Sequence, residues 1–300
     1  MRRIIDFHTH IGDIFETQKN ISFKTNLKKM EYDDPFIACE KSGYTQPLIP
    51  STQEEMDQLS RAGLYRCQAW SLENMGKEMD AAGISYAVAL PVCPNNTFEE
   101  YLAASKLDHR IIPFTSIDYS MSTEKIVEKL EQDIKRGAKG LKIHPVLQKV
   151  KLGDERTEAA VQVFQKAELP VLVHVGACSY YPSDMPYHDT PEYASLDEFF
   201  NFVHRFPECS IIAAHCCTII DLFAPEVKDL KKVYTDTTMC SAELMRKGVE
   251  QMGEDHILFG TDVPFGRFQP SVEQMEIAFG QEERIAQKVF FENAYKLLRL

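Results

Sequence analysis

Two histidines at alternate positions, His8 and His10, close the short apolar run that begins at Ile4. On an extended chain alternate side chains share a face, about 6–7 Å apart along the backbone. Both imidazoles can therefore converge on one metal ion, and neutral imidazole suits zinc, iron, nickel and manganese-type centres. A single pair of this kind is a weak signal in a chain with nine histidines. The rest of the chain adds weight to it. Later apolar runs end in Lys142 and His144, in His174, in His215 and in Asp262. Taken alone, each is more often a hydrogen-bonded structural residue than a ligand. Taken together they place metal-competent and proton-transfer groups at one strand end after another, and that pattern marks an enzyme.

The elements that must position these residues can be read from the same runs. Short stretches rich in Val and Ile recur at 3–7, 86–92, 111–117, 140–144, 171–175, 211–214, 233–235 and 257–260. Near-continuous apolar strands belong in a parallel sheet covered on both faces. Between them lie helical stretches at 123–136, 158–166, 196–205, 241–251 and 282–291. In the first, Ile126, Leu130 and Ile134 form one apolar stripe, Ser122 or Thr123 is placed to cap the start, and Gly137 to close the end. Eight strands alternating with helices predict an α/β fold, a (β/α)8 TIM barrel, whose active site lies at the C-terminal ends of the strands. A doubly wound sheet would more often carry a glycine-rich turn after its first strand, where this chain has His-Thr-His. One barrel domain is expected over residues 1–300, with a long polar insertion at 11–50 after strand 1 forming a cap. A second long loop, 177–190, brings Tyr180, Tyr181, Tyr187 and His188 to the same face.

Bulk properties narrow the partners. A net charge of −12 argues against nucleic acid. No run approaches the roughly 18 apolar residues of a membrane span, and Asp6 and His8 interrupt any signal-peptide core, so a cytoplasmic protein is expected. The eight cysteines lack zinc-ribbon spacing and read as buried small hydrophobes, the vicinal pair Cys216-Cys217 included. A small-molecule substrate and a homo-oligomer are the default expectations.

Read in order, Asp6-Phe7-His8-Thr9-His10, Gly140-Leu141-Lys142-Ile143-His144-Pro145, Leu172-Val173-His174, Ala213-Ala214-His215, Leu258-Phe259-Gly260-Thr261-Asp262 and Glu292-Asn293-Ala294 form an ordered set. In this the chain resembles the amidohydrolase superfamily, and within it the amidohydrolase-related branch of metal-dependent hydrolases and decarboxylases. The resemblance implies His8, His10, His174 and Asp262 as ligands of a first divalent metal, zinc before manganese, nickel or iron. Asp262 would take a proton from metal-acidified water and pass it to the leaving group. His215 would ligate a second metal or orient and protonate the substrate. Lys142 would bridge two metals as an N-carboxylated side chain, pair with a substrate carboxylate, or play no part. His144 shares its face and would contact substrate.

Arg267, Tyr180, Tyr181, Asn95 and Asn96 are further candidates for substrate contact. The leading expectation is hydrolysis of an amide, lactone or ester bond in a small polar substrate. The alternative is non-oxidative decarboxylation of a small aromatic or unsaturated acid, which uses the same ligands.

Overall fold

The computed structural model describes residues 2–15, 23 and 34–300. Its strands are β1 (Ile5–Thr9), β2 (Tyr86–Ala89), β3 (Ile111–Pro113), β4 (Thr115–Ser116), β5 (Leu141–Ile143), β6 (Val171–His174), β7 (Ile211–Ala214), β8 (Val233–Asp236) and β9 (Ile257–Leu258). Every pairing is parallel. β3 and β4 are two halves of one barrel strand parted at Phe114, whose N–H still donates to Ala89 O at 3.1 Å. The predicted eight strand positions of a TIM barrel are thus present, in sequence order. The ring closes between β1 and the end of β9. Phe7 N donates to Phe259 O, Asp262 N to His8 O and His10 N to Val263 O, each at 2.8 Å.

Alternation along the strands sorts side chains to two sides of the barrel wall. Leu172, Ile212 and Leu258 fill the interior with Ile5, Phe7, Val88, Leu90 and Phe114. Val171, Val173, Ile211 and Ala213 face outward onto Phe164, Phe199 and Phe223 of the surrounding helices. The helix Thr123–Arg136 has its predicted bounds, buries Ile126 and Leu130, and ends at Gly137 with φ +116°. Ser122 occupies the N-cap position, but its side chain makes no capping bond.

The insertion expected at 11–50 is not irregular throughout. Asp34 accepts from Phe36 N at 3.0 Å and Pro35 takes the first helical position, which starts a helix over Pro35–Lys41. Residues 16–22 and 24–33, the rest of the predicted cap, lie outside the described residues. A longer helix, Gln53–Ala69, follows behind a capping box of Thr52 and Glu55. Its Arg66, 5% exposed, binds Asp34 at 2.7 Å and Glu40 at 2.6 Å, and donates to the carbonyls of Pro264 and Phe265 at 3.0 and 2.7 Å. One buried guanidinium therefore ties the insertion to the loop that carries Asp262. Among the described residues no helix is long and apolar enough to cross a membrane. All eight cysteines are free and all but Cys178 are buried.

Candidate metal centre

The site begins with an irregularity in β1. Between Asp6 and Thr9 the pairing to β2 slips, three steps on β1 against two on β2. The extra residue changes which side chains face inward. Ile5 and Phe7 belong to the barrel interior below, yet His8 and His10 also turn inward above them, ring centroids 5.4 Å apart. Asp6 staples the bulge to the far side of the seam. Its Oδ1 accepts from His8 N at 2.9 Å and Thr261 N at 3.2 Å, and its Oδ2 from the Thr261 hydroxyl at 2.6 Å. Burial pushes the Asp6 carboxyl up to about 8 despite those bonds.

Asp262 follows in the left-handed region, φ +59°, a conformation that costs a non-glycine residue strain and recurs at functional sites. Gly260 makes room for the approach: a Cβ there would lie 3.1 Å from the Cβ atoms of both Asp236 and His8. Asp262 Oδ1 stands 3.3 Å from His8 Nε2 and 3.3 Å from His10 Nε2. The other ring nitrogens are spoken for. His8 Nδ1 meets Asp236 Oδ2 at 2.8 Å and His10 Nδ1 meets Leu90 O at 2.8 Å, both acceptors, so both protons sit on Nδ1. Two bare Nε2 lone pairs and a carboxylate oxygen then converge with no proton between them, and His8 Nε2 is buried without a hydrogen-bond donor among the described residues. A divalent cation fits that arrangement: two imidazoles and a carboxylate, with the remaining positions open. Burial lowers His8 and His10, with Lys142 adding to it, so both are neutral and ligand-competent at neutral pH. Burial pulls Asp262 upward, but His8, His10 and His215 outweigh it and hold its carboxyl down at about 2.

Asp236, the last residue of β8, was not among the sequence candidates. It is fully buried and accepts from His8 Nδ1 at one oxygen and, at the other, from His215 N (2.9 Å), Thr238 N (3.3 Å) and the Thr238 hydroxyl (2.8 Å). With its oxygens so saturated, Asp236 orients the imidazoles around it. His215, at φ +68°, sets its Nδ1 2.8 Å from the Thr238 oxygen and its Nε2 3.1 Å from His174 Nδ1. His174 is therefore grouped with His215, and its Nε2 meets the Tyr180 hydroxyl at 2.9 Å and Gly176 O at 3.3 Å. His144 lies flat on His174, centroids 4.1 Å apart and planes 6° from parallel. Its Nδ1 accepts from Leu147 N at 3.4 Å, which places its proton on Nε2. Burial drives His144 and His174 well below the ordinary imidazole value. Lys142 is fully buried, its Nζ has no hydrogen-bond acceptor among the described residues, and burial lowers it to about 8 against the pull of Asp262 and Asp236.

An aromatic wall stands beside these imidazoles. Phe265 packs edge-on to His10 at 6.3 Å, Phe15 lies 6.1 Å from Phe265 and 5.8 Å from Tyr180, and Tyr180 sits 5.4 Å from His144. Asn95 and Asn96 serve that wall indirectly, their amides donating to Ile14 O and Asp13 O at 2.8 Å each just before Phe15. Tyr181 is buried against Phe15 and Tyr187. Arg267 does not join the set. Its guanidinium is engaged by Glu78 and lies over the Trp70 ring at 5.3 Å.

The chain belongs to the amidohydrolase family, whose family model matches residues 5–300, and it is an enzyme of that superfamily. Among solved structures it is similar to a 2,6-dihydroxybenzoate decarboxylase from Rhizobium (TM-score 0.64, 14% identity, covering 100% of this chain and 99% of that one). It is also similar to a 5-carboxyvanillate decarboxylase from Novosphingobium aromaticivorans complexed with manganese and a nitrobenzoic acid (0.60, 16%, 100% and 96%). A third is a probable 2-pyrone-4,6-dicarboxylic acid hydrolase from Acinetobacter baumannii with citric acid bound (0.62, 10%, 99% and 99%). No curated protein matches the chain by sequence.

Proposed function

We propose that this chain is a metal-dependent, non-oxidative decarboxylase of a small aromatic or unsaturated carboxylic acid. The observation that carries the reading is the aromatic wall, Phe15, Tyr180 and Phe265, packed against one another and against the rings of His10 and His144. Such a wall accepts a flat conjugated ring by stacking. It also keeps water from a bound carboxylate, which favours departure of neutral CO2 from an anionic starting state. Two of the similar structures are decarboxylases of hydroxylated benzoic acids, which supports the same reading.

His8, His10 and Asp262 would hold a divalent cation. Zinc is the expectation from sequence; the manganese in the Novosphingobium enzyme makes that ion an equal candidate. When bound, the cation supplies Lewis-acid anchorage for the substrate's oxygens. The remaining work falls to the chain. His144 offers Nε2–H to a substrate oxygen, because Leu147 N–H occupies its other nitrogen. Lys142 supplies a countercharge for the carboxylate, having no acceptor of its own among the described residues. As the bond to the carboxylate carbon breaks, its electron pair stays on the ring carbon, which takes a proton. The hydrogen-bonded His174–His215 pair would relay it from water.

Hydrolysis is the second reading, and Lys142 favours it. Its neutral amine, attacking CO2 with loss of a proton, would become a carbamate, an anion that would help His8, His10, His174 and His215 hold divalent cations. The test separates the two. Hydroxybenzoic and unsaturated dicarboxylic acids are offered with Mn²⁺ or Zn²⁺ and CO2 is measured, beside a panel of lactones and esters. CO2 release that disappears in Asp262→Asn is expected. Ring opening of a lactone without any CO2 release would overturn the decarboxylase.

A further inference from the structure

The residues that would meet substrate are shut in: His8, His10, Lys142, His144, His174 and Asp262 are each at most 8% exposed. Tyr180, from the loop 177–190, lies against two of them, its hydroxyl 2.9 Å from His174 Nε2 and its ring 5.4 Å from that of His144. Its two neighbours face elsewhere. Ser179 and Tyr181 line a cavity of about 460 Å³ shared with Thr52, Gln53 and Met56 at the start of the helix Gln53–Ala69. The loop is also attached differently from the rest of the aromatic wall. Buried bonds hold the other parts: Arg66 to Phe265 O, and Asn95 and Asn96 to Ile14 O and Asp13 O. The loop's strongest bonds to the helix lie at the surface instead. Asp57 accepts from Ser183 N at 2.9 Å and from the Ser183 hydroxyl at 2.5 Å, and Arg61 pairs with Asp184 at 2.6 Å. A longer contact, from the Ser60 hydroxyl to Ser179 O at 3.4 Å, is partly buried. Exposed polar bonds compete with water and hold weakly. At the base of the loop Gly176 N donates to Ala194 O at 2.8 Å, which pins its two ends together.

We propose that residues 177–190 form a flap, latched to the helix Gln53–Ala69 by Asp57, which lifts Tyr180 off His144 and His174 to admit substrate from this cavity. Gly176, at φ +136°, gives the flap a hinge that other residues would restrict. Tyr181 and Tyr187, ring centroids 5.3 Å apart within the loop, travel with it. Open, the flap exposes the imidazoles and breaks the aromatic wall at Tyr180. Closed, it completes that wall against Phe15, 5.8 Å away, and keeps water from the bound acid. The helix does not move with it, because Arg66 holds the helix to the turn that carries Phe265. The inference deepens the reading of the rim as an active site and rests on it.

The test uses the full-length, chelator-treated chain with Cys178→Ser, which removes the one exposed cysteine, and adds Asp57→Cys with Ser183→Cys. Their sulfurs stand where a carboxylate and a hydroxyl now touch, and mild oxidation joins them. The probe is diethylpyrocarbonate, which acylates neutral imidazole, with adducts located by mass spectrometry. Joining the cysteines is expected to slow modification of His144 and His174 by about tenfold or more, and dithiothreitol to restore it. The exposed His109 is the internal reference and keeps its rate. Asp57→Ala alone, with the latch removed, speeds modification of the same two residues. Equal rates at His144 and His174 in the joined and reduced chains overturn the flap; rates that Asp57→Ala leaves unchanged overturn the latch. Neither metal nor substrate enters this measurement, so a reduced chain that releases no CO2 counts against the decarboxylase alone.

Discussion

Replacing Asp236 with Asn exchanges one carboxylate oxygen for an NH2 group in a place where either orientation of the amide disturbs the site. If the NH2 faces His8, donor meets donor at the present 2.8 Å contact, and His8 must carry its proton on Nε2, the atom aimed at Asp262. If the NH2 faces the other way it meets His215 N–H, a backbone donor 2.9 Å away that cannot turn. The second orientation leaves a buried donor unpaired, which costs about 1–3 kcal/mol of stability, and the first avoids that only by spending the His8 Nε2 lone pair on a proton. The metal loses more selectively. A partner that fixes the tautomer of a ligating histidine is typically worth about 10–100-fold in metal affinity, or ~1.4–2.7 kcal/mol. Asp236→Asn is expected to fold, to unfold at lower urea concentration, and to bind its first Mn²⁺ or Zn²⁺ about 10–100-fold more weakly. The assays are urea denaturation of the chelator-treated chain and competition against a metal-binding dye. Metal affinity within twofold of the native chain would refute the assignment of Nδ1–H to His8 and with it the argument for a cation at Asp262.

Two further outcomes concern buried charge. Lys142→Met removes a buried ammonium without an acceptor among the described residues and keeps much of its volume; such changes are neutral or stabilising by about 1–4 kcal/mol, so the urea midpoint should hold or rise while turnover is lost, and a clear fall in the midpoint would mean that Nζ has a structural partner. The stability of the chelator-treated chain should decline as pH falls below about 6.5. His8, His10, His144 and His174 are all lowered by burial, so the unfolded chain binds protons there that the folded chain refuses. Each costs up to about 1.4 kcal/mol of stability per pH unit below that pH and nothing above it. Asp6, raised to about 8, has the opposite slope, but it is one group against four. Urea midpoints measured from about pH 7.5 down to 5.5, the window around the unfolded imidazole value, that stay flat would contradict the neutral imidazole cluster.

Much of this site was legible in the sequence because of a geometric rule. In a barrel the C-terminal end of every strand opens on one rim, so a polar residue closing an apolar run is placed there wherever it falls in the chain. His8, His10, Lys142, His144, His174, His215 and Asp262 all close or follow such runs, and the structure brings all of them together. Asp236 obeys the same rule and was missed, since the run at 233–235 passes into Thr-Asp-Thr-Thr and resembles an ordinary polar loop. Arg267 comes after β9 but reaches Glu78 and Trp70 rather than the imidazoles. A long side chain on a loop has too many directions for sequence position to choose among them.

By itself the sequence determined the alternation of strands and helices, the barrel, and which residue types stand on its rim, because period and burial act locally along the chain. Tertiary structure decided what those residues are to one another. The slip in β1 turns His8 inward directly after Phe7, and Gly260 admits the close approach of His8 and Asp236. Hydrogen bonds from distant strands, Leu90 O to His10 and Asp236 to His8, choose which ring nitrogen keeps its lone pair. A tautomer depends on the partner across the barrel, and no spacing along one strand contains that partner.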